Sequence, residues 1–213
     1  MEKVTVILTC WKRFKNFEDI IKGWLEEPEV DEILIWDNSG EFKTDIKDER
    51  IVLINCSSNW GSSVRYMLGA MAKNEYCLFC DDDVMPKKGI TKDFIKYAEP
   101  SKILAVTGRH FSGSYHNNTV VRATEVKDIE KVEFVIGYLM LIHRDLLIGQ
   151  YYRDFPWHCC ELYLEGLIKD KSTLHVIPTD KFIKLPEGED DNALYRQPEA
   201  FEEKERIWRR FHG

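Results

Sequence analysis

Five consecutive apolar residues, Tyr76 to Cys80 (YCLFC), stop abruptly at three aspartates, Asp81, Asp82 and Asp83. A run that short with no polar alternation fits a strand covered on both faces, as inside a parallel sheet. Its surroundings agree. Val4 to Leu8 is a β-branched run, and Asn16 to Leu25 follows it with Asn16 placed as a helix cap and Ile20, Ile21, Trp24 and Leu25 as an apolar face. Glu32 to Trp36, Ile51 to Asn55 and Ile103 to Thr107 read as strands. Gly61 to Ala72 reads as a helix packing Val64, Met67, Leu68 and Met71 on the core, and Thr91 to Tyr97 as another. Residues 1–107 therefore alternate β and α, which predicts an α/β fold: a mostly parallel central sheet with helices on both faces. Beyond them the pattern changes, with strands at Thr119 to Ala123, Val132 to His143 and Leu174 to Ile177, and helices at Cys159 to Asp170 and Ala200 to Phe211.

At 213 residues, 44% hydrophobic and without a Ser/Gly/Pro-rich linker, the chain is long enough to bury one core, and residues 1–213 read as a single domain. A net charge of −7 argues against a nucleic-acid partner, since a phosphate backbone would be repelled. The longest nearly uncharged apolar stretch, Phe134 to Ile142, falls short of the ~20 residues that span a bilayer. With no signal-peptide layout in MEKVTVIL, the expected location is cytoplasmic, and further domains after Gly213 are compatible with the sequence. Six cysteines in such a chain suggest reduced thiols. Cys77 and Cys80 have CxxC spacing, but on a strand they point to opposite faces, and no second CxxC completes a zinc site.

Three adjacent carboxylates repel one another and cost stability unless a cation or donors sit among them. If the chain stays extended past Cys80, Asp81 and Asp83 project to one side and Asp82 to the other, at the sheet edge where open α/β folds bind ligands. Hard oxygens suit Mn²⁺ or Mg²⁺, whose shells are commonly completed by substrate phosphates. In an arbitrary chain such a run is also read as a solvated turn, but a turn does not need three like charges against a core strand. Three more loops belong at that edge: TCWKR with Thr9, Lys12 and Arg13; Asp37, Asn38 and Ser39; and Asn59 with Arg65 one turn into the next helix. Aspartate accepts from the N3–H of uracil and arginine pairs with phosphate, so together these loops could hold a pyrimidine nucleotide. Each taken singly also fits a turn or a solvated face.

These residues resemble those of a family: nucleotide-sugar glycosyltransferases of the GT-A (nucleotide-diphospho-sugar transferase) fold with a DxD motif. The strand with DDDV at 76 to 84 and the stretch AEPSKILAVTGRHF at 98 to 111 are similar to transferase domains of the exostosin type. TCWKR, IWDNS and NWGSSVR resemble their nucleotide loops. The resemblance implies a nucleotide-binding half over about residues 1–107 and an acceptor half over about 108–213. It further implies an Mn²⁺-dependent hexosyl or deoxyhexosyl transferase with a UDP-sugar donor and a glycan or glycoprotein acceptor. On it, Asp83 and Asp81 hold the metal, Asp81 and Asp82 lie near ribose or sugar hydroxyls, Arg13, Asn59 and Arg65 near uracil and phosphates, and Asp37 near the base, with Thr9 and Asn38 in the same loops.

The sequence departs from that pattern at WHCCELYLEGL, where the family's acidic pair is missing and Glu161 is the carboxylate left at the helix start. Glu161 reads either as a general base or as an acid favoured by the helix dipole, with Asp154 and His158 as rivals. Candidates for a late metal ligand are His158, Asp180, Glu189, Asp190 and Asp191. The acid-rich stretch 185–199 reads as a loop that closes over the nucleotide or as a solvated one, and Trp11, Trp60, Tyr151, Tyr152 and Trp157 as sugar platforms or as core aromatics. Three other readings compete. Haloacid-dehalogenase-like phosphatases put aspartates on their first strand, unlike this chain, and sugar nucleotidyltransferases need a Gly-rich loop that LTCWKR lacks. A nucleotide-sugar-binding module without turnover is the non-enzymatic alternative.

Overall fold

The computed structural model describes residues 2–150, 152–157, 159–186 and 198–212. The first elements run β1 (Val4–Cys10), α1 (Phe17–Leu25), β2 (Val30–Asp37), β3 (Ile51–Asn55), α2 (Val64–Met71), β4 (Tyr76–Cys80), β5 (Val84–Pro86), α3 (Ile90–Ile95) and β6 (Lys102–Ala105). Then come β7 (Thr107–Ser114), β8 (Asn117–Arg122), β9 (Glu130–Val132), β10 (Phe134–Val135), β11 (Leu139–His143), α4 (Cys160–Ile168), β12 (Thr173–Val176), β13 (Phe182–Lys184) and α5 (Pro198–His212). The fold is mixed α/β around a large, mostly parallel sheet of eight strands in the order β3-β2-β1-β4-β11-β6-β12-β9. The pairs β3/β2, β2/β1, β1/β4 and β6/β12 are parallel, while β11 runs antiparallel to both its neighbours and β9 to β12.

Every residue of β1, β4 and β11 is buried, so both sheet faces are covered there, as the unbroken apolar run of β4 predicts. α2 lies close over the sheet: a Cβ on Gly69 would come within 2.7 Å of Phe79 Cζ and 2.6 Å of Leu147 Cδ1. That approach explains a glycine inside a helix, where it costs about 1 kcal/mol relative to alanine. Of the predicted stripe on α2, Val64 and Leu68 are buried, but Met71, at the helix end with nothing beyond to pack on, is 71% exposed.

The expected single strand from Val132 to His143 is three: β9 and β11 in the main sheet and β10 in a second sheet ordered β10-β7-β8. A third, two-stranded sheet pairs β13 with β5, immediately after the aspartates. A small apolar cluster, Tyr115, Phe134, Cys159, Leu162 and Ile207, joins α5 to α4 and the second sheet. Among the described residues no helix is long and apolar enough to cross a membrane.

Parallel registry gathers four strand ends at one edge: Cys10 is level with Asp37, Asp37 with Asn55, and Leu8 with Cys80. The strand order turns back between β1 and β4, the place where open α/β sheets hold ligands.

Candidate functional site

The four loops leaving that edge wall a cavity of about 890 Å³. Thr9, Arg13, Asn38, Asn59, Arg65, Asp81, Asp82, Asp83 and Glu161 all line it, and of the predicted site residues Asp37 does not.

The triplet does not continue the strand. Asp81 N–H donates to Tyr138 O at 2.9 Å, and Val84 N–H closes a turn on Asp81 O at 3.2 Å. Asp82 and Asp83 consequently face one cation, not opposite sides as an extended chain would place them: Arg13 Nη2 lies 2.7 Å from Asp82 Oδ1, and Nη1 3.8 Å from Asp83 Oδ2. Asp81 faces Arg65, whose Nη1 is 2.7 Å from Oδ1, an ion pair without hydrogen-bond geometry. Arg65 also donates to Gly137 O and to Thr9 Oγ1, each at 3.2 Å. Burial opposes the Arg65 charge, but Asp81 more than compensates and keeps the guanidinium ionised.

Asp82 and Asp83 are buried and Asp81 is partly exposed, and the cations facing them do not fully offset the burial. Burial pushes the Asp82 carboxyl up to about 7, partly offset by Arg13 and reinforced by Asp81 and Asp83. Burial and then Asp81 lift Asp83 to about 6, with Lys184 and Arg13 pulling the other way. Asp81 Oδ1 and Asp83 Oδ1 are buried without a hydrogen-bond donor among the described residues. Buried acceptors normally find a donor, so Asp83 Oδ1, beside an Asp81 oxygen held by the Arg65 ion pair, marks a place for a ligand. Hard and anionic, these oxygens fit Mn²⁺ or Mg²⁺. Among the described residues no group of three His, Cys, Asp or Glu side chains is assembled to hold a metal, so such an ion would need further oxygens from its ligand.

The second loop is occupied by its own backbone. Asp37 Oδ1 accepts from Ser39 N at 2.8 Å and Ser39 Oγ at 2.6 Å, and Oδ2 from Phe42 N at 2.8 Å, so the carboxylate knits the turn, away from the cavity. Asn38 lines the cavity, but its amide is spent on Trp36 Nε1, Trp60 N and Gly61 O. Asn59 Oδ1 accepts from Gly61 N at 2.9 Å, which leaves its amide nitrogen to a ligand.

Glu161 sits in the first turn of α4, two residues past Cys159, whose φ is 62°. The only other non-glycine residue with positive φ among those described is Lys12, at 63°, so both strained positions adjoin this cavity. Cys160 Sγ approaches Glu161 Oε2 at 3.7 Å, and Ser62 Oγ lies 3.0 Å from Cys160 Sγ. Burial, followed by Glu161, raises that thiol to about 12, so it stays protonated and can donate. One helical turn deeper, Glu165 is fully buried, and burial lifts its carboxyl well above the usual range. Asp154 and Asp180 are exposed and do not line the cavity, which removes the first as a base and the second as a ligand at this site. His158, Tyr151, Glu189, Asp190, Asp191 and most of the stretch 185–199 lie outside the described residues.

Trp11 and Trp157 line the cavity at 38% and 46% exposure, whereas Trp60 packs edge-on against Trp36, outside its wall. The structure adds residues that carry no local signal in the sequence. Lys184 pairs in register with Val84, its ammonium 4.6 Å above the Tyr138 ring and within electrostatic reach of Asp83. Arg109 and Lys204 complete the far wall. Compared with known proteins, the chain matches no family model and no curated protein.

Proposed function

We propose that this chain is a metal-dependent glycosyltransferase of the GT-A type, moving a sugar from a UDP-sugar to a hydroxyl of a glycan or glycoprotein acceptor. The observation that carries this reading is the triplet: Asp82 and Asp83, 7% and 5% exposed, with Asp83 Oδ1 lacking a donor among the described residues, and Arg13 and Arg65 paired with Asp82 and Asp81. The strand order, with its turn-back beside β4, is the second support.

In this reading Arg13 and Arg65 bind the diphosphate, exchanging part of their pairing with the aspartates for phosphate oxygens. Asn59 and the β1 loop frame the uridine. Asp83 and Asp81 hold Mn²⁺ or Mg²⁺, which when bound supplies positive charge against the departing diphosphate. Glu161, steadied by the Cys160 thiol, takes the proton from the acceptor hydroxyl as that oxygen bonds to the anomeric carbon and the bond to the diphosphate breaks with its electron pair. Lys184 adds a cation on the leaving-group side.

Calorimetry with UDP, with and without Mn²⁺, tests the reading. Wild-type protein is expected to bind UDP in an Mn²⁺-dependent manner, and Asp83→Ala to lose that dependence and at least ~10²-fold in turnover. Unchanged Mn²⁺-dependent binding in the variant would remove the triplet from the site. The single carboxylate at the start of α4 favours a second reading, a nucleotide-sugar-binding module. Binding with no release of sugar from any UDP-sugar would select it.

A further inference from the structure

The cavity wall also holds positive charge that no acidic side chain among the described residues pairs with. Arg109 on β7 and Lys204 on α5 both line it, and neither has an ion-pair or hydrogen-bond partner among the described residues. Arg109 sits 5.4 Å over the Tyr115 ring, with its Nε buried and unsatisfied. Nearby acids are engaged elsewhere: Glu205 with Arg209 and the Tyr115 N–H, and Glu203 with Arg206. In a chain of net charge −7, two cations left unpaired in a cavity wall are a recognition feature and not a surplus of base.

Their distance from the aspartates follows from one stretch of chain, residues 134–138. At one end Tyr138 O accepts from Asp81 N at 2.9 Å. Next, Gly137 faces Glu161, whose Cβ would lie 3.4 Å from a Cβ built on that glycine. At the other end Phe134 is paired with Arg109. Four residues of extended chain span at most about 13 Å, so Asp81, Glu161 and Arg109 adjoin successive residues of one short stretch. In the glycosyltransferase reading, with the diphosphate at the aspartates and Glu161 as base, that sequence of neighbours puts Arg109 toward the acceptor.

We infer that the acceptor carries an anionic group, a carboxylate or a phosphate on the sugar that presents the attacking hydroxyl or on the one beside it, and that Arg109 with Lys204 reads that group. This inference rests on the glycosyltransferase reading. Arg109 supplies a planar pair of donors for an oxyanion, stacked on Tyr115, and Lys204 supplies a second charge in the same cavity. A neutral sugar offers Arg109 only hydroxyl acceptors, whereas an oxyanion forms a charge-assisted pair, which is the basis of discrimination.

The test is calorimetric titration of the whole protein, first with UDP and Mn²⁺ and then, on that complex, with methyl galacturonide, glucose 6-phosphate and neutral methyl galactoside. At least one anionic sugar is expected to bind about tenfold or more tightly than the neutral one, the effect of a charge-assisted pair, and the two anionic probes separate carboxylate from phosphate recognition. Arg109→Gln should abolish the preference while leaving UDP affinity and the melting temperature unchanged, and Lys204→Gln should reduce it. Equal binding of charged and neutral sugars by the wild type overturns this inference alone. A preference that survives Arg109→Gln overturns it as well. Weakened UDP binding in that variant, or tighter wild-type binding of UDP-glucuronate than of UDP-glucose, would assign the cations to the donor and overturn it too. Absence of UDP binding in the wild type, seen before any sugar is added, is the separate failure of the glycosyltransferase reading.

Discussion

Replacing Asp83 with asparagine is expected to stabilise the metal-free protein while removing its divalent-ion binding. Burial and the neighbouring Asp81 raise the Asp83 carboxyl from 3.8 to about 6. The folded state thus holds that proton more tightly than the unfolded chain does, so the favourable contribution is complete below pH 3.8 and is lost as the pH rises through 6. Near pH 8 the ionised carboxylate costs up to about 3 kcal/mol, from roughly 1.4 kcal/mol per pKa unit, and the joint titration of the triplet reduces it to about half. The attractions forfeited are those to Lys184 and, across 3.8 Å, to Arg13. A gain of about 1.5 kcal/mol corresponds to roughly 3–6 °C in Tm for a chain of this length. The assay is thermal unfolding in EDTA from about pH 8 down to about pH 4, where the advantage of the variant should shrink to near nothing. Addition of Mn²⁺ and UDP at about 100 times Kd should then stabilise the wild type by about 2.7 kcal/mol and leave the variant unmoved. An Asp83→Asn protein that melts at or below the wild type near pH 8, or whose advantage does not depend on pH, refutes the argument that this carboxylate is held ionised at a cost.

Two further outcomes follow from the backbone and from α4. Lys12→Gly relieves a left-handed conformation at φ 63° and should raise stability by about 1 kcal/mol in urea unfolding, whereas a loss would mean that the lysine side chain contributes more than its backbone costs. Glu161→Gln should lower transfer, or donor hydrolysis where no acceptor is supplied, at least ~10²-fold with UDP binding unaltered. A kcat within twofold of wild type at saturating donor would exclude Glu161 as the base.

The N-terminal half was legible because its central strands are buried on both faces and its helices on one, so the period of the apolar residues changes at each boundary. The abrupt end of β4 at Asp81 located the cavity edge without any coordinates. Legibility failed where one apolar run serves two sheets. Val132 to Ile142 is almost uniformly apolar, yet Val132 pairs with Leu174 in the main sheet, Phe134 with Arg109 in the second, and Leu139 with Cys80 back in the main sheet. Hydrophobicity records that these residues are buried and does not record which partner buries them.

The same limit applies to the polar residues, for a different reason: the availability of a side chain depends on what its neighbours have already taken. Asp37 and Asn38 have the right chemistry and the right position in the sequence, but the turn that follows β2 needs acceptors for Ser39, Phe42, Trp36 and Trp60, and uses both. Lys184 and Arg109 carry no local signal, because Lys184 reaches the triplet through pairing with Val84 and Arg109 reaches the cavity through pairing with Phe134. The triplet combines both situations. Its guanidinium partners are partly spent on Asp81 and Asp82, and Asp83 Oδ1 has no donor among the described residues. In the proposed function a divalent ion on the aspartates releases Arg13 and Arg65 toward a diphosphate, and a diphosphate on the arginines releases carboxylate oxygens toward the ion. Each ligand then relieves part of the cost of binding the other, and because linkage is reciprocal, the coupling has the same size in both directions.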